Sequence, residues 1–402
     1  MPDYRAFLLE KIMYQLSFSL KEFLAEYWQK KPVIIKGGFE NFQDPVTPEE
    51  LAGLTLESDV DSRFVSNLNN EWKAEHGPLS EELFDTLGET NWSIIVQAAN
   101  HWHEGAAELF KPFKQMPNWL FDDIMISYSV PDGGVGPHID QYDVFIIQGQ
   151  GKRHWRVGDI GEYQEEHRHG ALKQITGFDP IIDQILEPGD ILYIPPGFPH
   201  DGYALEPSMS YSAGFRSPKE QELVSNFADF IIENEQSDVH YHNPDLKAQT
   251  HGTEITTQSF EDLKAMMLNA MSNEQSLKQF MGEYLSNSRH HLNILPDTEK
   301  WTTEELLSYL QSGQALIKVA GLRTFYHEVE ACEDNMTLYI DGESYVFPLT
   351  VKNDVIALCE ASEFTLLDVE NLLQDPHSVA NLLQFVNIGY WFVESDEDED
   401  EE

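Results

Sequence analysis

Between Asp123 and Phe215 the chain is cut into short apolar runs, and that cutting excludes most folds. The runs "IMISYSV", "VFIIQG", "HWRVG", "QILEPGDILYIP" and "MSYSAGF" are rich in β-branched and aromatic residues. They are split by "PDGGVGP", "GQGK", "EPGD" and "PPGFPHDG". Glycine turns the backbone and proline interrupts a helix, so no long helix can run through this stretch. Short strands at this spacing predict an all-β sandwich or barrel.

The flanks read differently. Ser19 can cap a helix in "LKEFLAEYWQKK", with Leu20, Phe23, Leu24 and Tyr27 on one face. Pro32 ends it, and "VIIKG" reads as a buried strand. Residues 48–120 read as short helices and loops. From Pro218, "KEQELVSNFADFIIENE" and "SFEDLKAMMLNAMSNEQSLKQFMGEYLS" carry helical periodicity. Met266, Met267, Met271 and Met281 are expected to pack helices, and could serve a helical dimer interface. From about 301, "TEELLSYLQSG" predicts a helix and "TLYIDGESYVF" a hairpin around Asp341-Gly342. "LLDVENLLQ" predicts another helix, giving a small module of the winged-helix kind.

At 402 residues, two or three domains are expected, and 41% hydrophobic content is enough for sizeable cores. "MPDYRAFLLEKIMYQLSFSLKEF" lacks a continuous apolar stretch of the secretory kind, and no run is long enough to span a membrane. Cys332 and Cys359 have no metal or redox spacing, so a cytoplasmic setting is expected. Lys and Arg number 25 against 70 Asp and Glu, a formal charge of −45. The seven acids Asp396–Glu402 do not cause this, since −45 + 7 leaves −38. Such a surface repels phosphate backbones and attracts basic proteins. It also serves solubility or salt adaptation. The winged-helix-like module has Lys318, Arg323 and Lys352 against 22 Asp and Glu from residue 301 on, so nucleic-acid binding is not expected of it.

Chemistry concentrates at "GPHIDQYDVF", residues 136–145. In a strand, His138 and Asp140 point to one face and Ile139 to the other. Alone the pair is two polar side chains at a strand mouth or half a metal site. His200, 62 residues on in "PGDILYIPPGFPH", makes a third ligand. Two histidines and a carboxylate form the facial triad of non-haem Fe(II) oxygenases, leaving positions open for a 2-keto acid and O₂. Arg153, in "GKRHW", could grip the far carboxylate of 2-oxoglutarate, or be a solvated strand-end charge. Ser129 and Tyr142 read as hydrogen-bonding companions inside the barrel or as ordinary half-buried polar residues.

"MISYSVPDGGVGPHIDQYDVFIIQGQGKRHWRVG", "LEPGDILYIPPGFPHDGYA" and "YSAGFRSP" resemble the Jumonji-C ribosomal oxygenases, most closely the bacterial arginine hydroxylases of ribosomal protein. The resemblance covers residues 90–216. It implies an α+β chain built on a double-stranded β-helix, a jelly-roll of the cupin kind. Residues 1–90 would lead into a 91–217 catalytic core. A helical dimerisation segment at 218–300, a winged-helix-like domain at 301–393 and a disordered acidic tail at 394–402 would follow. It implies His138, Asp140 and His200 as Fe(II) ligands, with Arg153 and Ser129 binding 2-oxoglutarate. It further implies a homodimer that hydroxylates an arginine β-carbon in a basic large-subunit ribosomal protein, releasing succinate and CO₂. The acidic tail lies outside that resemblance. A substrate arginine would want carboxylates and aromatic faces, and Tyr142 and Asp143 are the candidates. Asp143, at i+3 from Asp140, falls on the opposite face of a regular strand.

Other histidines carry blander readings. "HWHE" (101–104) and "HRH" (167–169) are expected on the surface or in loops. His154 should face outward, and His290 and His291 should end a helix, favouring its dipole. Rival functions are histidyl hydroxylation, histone-type demethylation, a cupin-type metalloenzyme without a keto-acid cosubstrate, and a non-catalytic acidic interaction protein.

Overall fold

In the computed structural model, the described residues are 14–169, 172–234, 239–329 and 333–393. The tail acids Asp396–Glu402 and Cys332 lie outside them. Two compact units form. The first contains the residues up to Ser217 with Arg289–Asn293 and Val319–Gly321, and the second contains the remainder.

The first unit runs α1 (Leu20–Glu26), β1 (Val33–Ile35), α2 (Pro48–Leu54), β2 (Ser62–Ser66), β3 (Lys73–His76), α3 (Glu81–Thr86), β4 (Trp92–Val96), α4 (Glu104–Glu108) and β5 (Phe121–Ser129). It continues β6 (His138–Ile139), β7 (Asp143–Gln148), β8 (Arg153–Gly158), β9 (Glu165–His169), β10 (Leu172–Ile175), β11 (Pro180–Leu186), β12 (Ile191–Ile194), β13 (Pro199–Ala204) and β14 (Ser208–Phe215). Eight strands pair in the order β1-β12-β7-β14-β5-β4-β2-β3, and six in the order β11-β8-β13-β6-β10-β9. This is the expected jelly-roll, entered earlier than expected. β2, β3 and β4 are strands of the larger sheet, inside the stretch read as short helices and loops. "HRH" is the end of β9 and not a loop. "VIIKG" gives β1, half-buried at the sheet edge rather than fully buried.

Alternation along the strands sorts side chains to two faces. Ile124, Ile126, Phe145, Ile147 and Tyr193 face one core with Phe23, Leu51 and Phe113 from the helical side. Each such buried side chain contributes about 1.5–3 kcal/mol. Val144, Ile146, Trp155, Val157, Leu192 and Ile194 fill a second core. Ser19 caps α1 through its hydroxyl, as expected, although α1 stops at Glu26, before Pro32.

The second unit runs α5 (Glu220–Glu233), α6 (Thr257–Ala270), α7 (Glu274–Ser286), α8 (Thr303–Gln311), β15 (Leu316–Lys318), β16 (Thr324–Tyr326), β17 (Asn335–Ile340) and β18 (Glu343–Pro348). It ends with α9 (Lys352–Glu360), β19 (Glu363–Phe364), α10 (Pro376–Ile388) and β20 (Trp391–Phe392). The helical periodicity of "SFEDLKAMMLNAMSNEQSLKQFMGEYLS" is carried by two helices, α6 and α7, and the Asn273 side chain caps α7. Phe227 and Phe230 of α5 pack on Phe280 of α7. Met281 packs on that cluster as expected, whereas Met267 is 70% exposed. In the β17–β18 hairpin Ile340 faces Glu343, with φ of 47° at Asp341 and 87° at Gly342, the doubly positive geometry of a two-residue hairpin turn. "LLDVENLLQ" is not a helix. It forms two short 3₁₀ turns because Asp354 draws the Leu372 amide and the Asn371 side chain out of register. The helix is α10, one step later, capped by Asp375 with Pro376 in its first turn. No helix of the described residues is long and apolar enough to cross a membrane.

Candidate metal centre and its cavity

Strand register assembles the centre. β13 lies between β8 and β6, and His200 sits directly opposite His138 across the β13–β6 pair. Asp140 follows two residues after His138, just past the end of β6. Its Oδ2 lies 3.8 Å from His138 Nε2 and 3.6 Å from His200 Nε2. The His138 Nδ1 is 2.9 Å from the carbonyl oxygen of Gly136, and the His200 Nδ1 is 3.1 Å from that of Phe198. Those carbonyls accept the Nδ1 protons, so both Nε2 lone pairs are left to converge on one point with Asp140. That donor set fits a divalent transition metal.

The glycine-rich turn has a geometric reason. Gly136 has φ +79°, and a Cβ there would meet the Gln174 side chain at 2.4 Å. A Cβ at Gly134 would meet the Gly202 carbonyl at 2.4 Å, where the turn bridges to β13.

The charges are coupled. Burial pushes the Asp140 carboxyl up, but the two imidazoles and the Tyr142 hydroxyl outweigh it and hold Asp140 well below the usual carboxylate range. Burial and then the neighbouring His200 hold His138 below its ordinary value. His200 is raised, because Asp140 more than offsets its burial.

A cavity of ≈ 80 Å³ opens beside these residues. It is lined by His138, Asp140, Tyr142, Arg153 and His200, and by the odd-numbered face of β5: Asp123, Met125, Ser127 and Ser129. Arg153 is not a solvated strand-end charge. It is 5% exposed. Nε and Nη1 donate to the hydroxyls of Ser208 (3.0 Å) and Ser127 (2.8 Å), and Nη2 donates to both residues' carbonyls. Four of its five N–H groups are thus bonded to neutral oxygens. Burial pushes its pKa down to about 9, and no carboxylate among the described residues pairs with it. A buried cation in this state favours an incoming anion. Ser129 lines the same cavity, its hydroxyl 2.6 Å from that of Ser93.

Tyr142 lies in the cavity wall and Asp143 does not. Asp143 starts β7 on the face shared with Phe145, where the Tyr193 hydroxyl and Gln29 Nε2 donate to its carboxylate. One residue of alternation separates the two, so Asp143 is corrected to a structural carboxylate facing the helices. His154 turns away from the cavity, its ring nitrogens meeting Tyr203 and Asp183.

Asp123 went unread in the sequence. It is 3% exposed. Gln97 Nε2 and the Ala98 amide donate to its Oδ2, at 2.5 and 2.7 Å. Burial pushes its carboxyl up to about 6, opposed by His290 and reinforced by Asp122. A signal existed: Asp123, Met125, Ser127 and Ser129 share one face at period two. His290 and His291 do not end a helix, since α7 stops at Ser286. His290 instead lies 3.7 Å from Asp122. His101 is bound rather than free on the surface, its Nδ1 lying 3.0 Å from the His291 carbonyl.

Comparison with known proteins agrees with this geometry. Residues 108–223 match the JmjC domain family, and residues 268–392 match the ROXA-like winged helix. The chain is 46% identical over 381 residues to the "Ribosomal protein uL16 3-hydroxylase" of Escherichia coli, covering 95% of this chain and 99% of that one. It is 24% identical over 207 residues to "Ribosomal oxygenase 1" of Danio rerio, covering 47% of this chain and 37% of that one. A structure of the E. coli ribosomal oxygenase in complex with cobalt and 2-oxoglutarate superposes with a TM-score of 0.86, at 46% identity, over 95% of this chain and all of that one. The chain therefore belongs to the JmjC-domain ribosomal oxygenases.

Proposed function

We propose that this chain is an Fe(II)- and 2-oxoglutarate-dependent oxygenase that hydroxylates the β-carbon of an arginine in a large-subunit ribosomal protein. The observation that carries this is the convergence of a His-Asp-His donor set and an uncompensated buried Arg153 in one cavity. His138, Asp140 and His200 would hold the iron. Bound there, it supplies the redox chemistry that couples breakdown of 2-oxoglutarate to succinate and CO₂ with transfer of one oxygen atom to an unactivated C–H bond. Arg153 grips the far carboxylate of 2-oxoglutarate, and Ser129 offers a hydroxyl on the same wall. The substrate guanidinium meets Asp123 and the Tyr142 ring. Apolar walls from Val144, Ile146 and Trp155 exclude water.

A buried carboxylate favours a guanidinium over a neutral imidazole, which ranks histidyl hydroxylation second. The acidic surface favours a basic protein over nucleic acid, in the cytoplasm. A homodimer is the inferred assembly. On α6, Phe260, Leu263 and Met267 recur at helical spacing, and Phe260 is 57% exposed. α6 buries none of its residues. Such a stripe on a helix marks a protein interface, and a second copy supplies the matching stripe.

The test is incubation with Fe(II), 2-oxoglutarate and ribosomal proteins, followed by mass spectrometry. One added oxygen on an arginine, absent with His138→Ala, is expected. Addition on a histidine would transfer the assignment to the second reading. No addition to any ribosomal protein would overturn the proposal.

A further inference from the structure

After α7 the chain returns to the catalytic unit as the segment Arg289–Asn293. This segment is fastened beside β5. Arg289 Nη1 donates to Asp122 Oδ1 at 3.2 Å, and the guanidinium also reaches the Arg216 carbonyl at 3.4 Å. The His291 ring stacks on Trp102, with centroids 6.2 Å apart and planes 2° from parallel. His290 is thereby pressed edge-on against His101, at 5.9 Å. Its Nε2 is buried and lies 3.7 Å from Asp122 Oδ1, just beyond hydrogen-bond reach. One ligand atom each of Asp122, Asp123 and His290 lie within 4.8 Å of one another.

The charges around this point are few. Arg289 is held on Asp122, and Arg63 reaches Gln97 Oε1 at 3.5 Å rather than Asp123, so the cationic group acting on Asp123 is His290. Facing His290 are Asp122, Asp123 and Asp61, with His101 against its ring. Asp123 alone of these carboxylates opens into the cavity. Its Oδ2 is taken by Gln97 and Ala98, and its Oδ1 lies toward Gly214 on the cavity wall.

We propose that His290 is a positioning residue for substrate binding: its imidazolium, held behind the Asp122–Asp123 pair by the Arg289–Asn293 segment, keeps the Asp123 carboxylate ionised and ready for the cation of the substrate. This rests on the reading above that the substrate presents a guanidinium. Burial works against His290 charging, but Asp122, Asp123 and Asp61 raise it above its ordinary value. Burial pushes Asp123 the opposite way, up to about 6. In the free enzyme each group supports the charged form of the other. Loss of the imidazolium moves Asp123 titration to higher pH. A cation-binding site then empties at a pH where the intact enzyme still binds.

The experiment has two arms. In the first, aspartate-labelled, Zn(II)-loaded full-length protein is titrated by carbon NMR, with the Asp123 signal assigned from Asp123→Asn. His290→Gln should raise the Asp123 midpoint by about one pH unit, and His290→Lys should restore it. In the second, KM is measured between pH 5.5 and 8.5 for an arginine-containing peptide from the ribosomal protein that gains oxygen. His290→Gln should raise KM about fivefold near pH 6 and leave it nearly unchanged at pH 8, with kcat and the 2-oxoglutarate KM as in the unaltered enzyme. A midpoint that does not move overturns the proposal. So does a KM that falls near pH 6, because His290 would then merely repel the substrate. Loss of thermal stability with an unshifted midpoint assigns His290 a purely structural part and also overturns it. If no ribosomal protein gains oxygen, the functional reading fails while the titration arm still decides whether His290 controls Asp123.

Discussion

Arg153 sits among neutral oxygens of Ser127 and Ser208, a buried cation awaiting an anion. Removing it should therefore affect binding and stability in opposite senses. Arg153→Met fills much of the same volume and removes the desolvated charge. The melting temperature should stay the same or rise, because no ion pair is broken in the ligand-free protein. The KM for 2-oxoglutarate should rise at least about 100-fold, the scale of about 3 kcal/mol for losing one side of a buried charge pair. Steady-state assays with varied 2-oxoglutarate, beside calorimetry, check both halves, and turnover indifferent to 2-oxoglutarate would refute the cosubstrate role. The residues behind this prediction differ in how legible they were. His138 and Asp140 were ambiguous as a pair and became legible only because His200 supplied a third ligand. Arg153 was ambiguous because burial is invisible in sequence. Asp123 was unread because two adjacent acids look solvated, although the second shares its face with Ser129. Asp143 looked tempting beside Tyr142, and one step of alternation carried it to the other side of the sheet.

Among the elements, β5, β7, β8, β11, β12 and β14 were legible because their turns need glycine and proline, whereas β9, β10 and β13 fell in stretches read as loops or separators. β2 and β3 were not legible either. "SRFVS" and "KAEH" are polar enough to pass for loops, and only pairing, β2 with β4 and β3 with β2, makes them strands. The Asp341-Gly342 hairpin was legible from its turn chemistry alone. The order of α10 and the 3₁₀ turns before it was not, since it depends on Asp354 capturing Leu372 across the fold. α6 poses the reverse case: its helical period is plain, yet its apolar stripe has no partner within the unit. Its inferred partner is a second copy. Placing a charge there by Phe260→Glu and Met267→Glu together should convert a dimer to a monomer, read as a halved mass by light scattering. Exposed helix positions tolerate glutamate, so helicity should change little. The unaltered chain running as a monomer at micromolar concentration would remove the dimer inference.

For the molecule as a whole, the sequence carries the order of barrel, helices and winged helix, and a charge of −45. It does not carry the return of Arg289–Asn293 to the catalytic unit, which depends on contacts between residues more than 150 positions apart. The charge has two physical uses, attracting a basic protein or keeping the chain soluble in salt, and they respond differently to ionic strength. Attraction between exposed charges fades as the screening length falls from about 30 Å at 0.01 M salt to about 8 Å at 0.15 M. Steered association loses roughly tenfold or more in rate over such a range. The KM for an intact ribosomal protein substrate should therefore rise about tenfold between roughly 0.02 and 0.3 M sodium chloride. The KM for 2-oxoglutarate should change by less than about twofold, because Arg153 is buried and weakly screened. Deleting Asp396–Glu402 lowers the charge only to −38, so the truncated enzyme should keep most of the salt dependence. Steady-state kinetics across a salt series, with both proteins and both substrates, decides the matter. A KM for the ribosomal protein that is flat with salt would assign the charge to solubility. A slope that vanishes with the tail would move substrate attraction from the body of the enzyme to those seven residues.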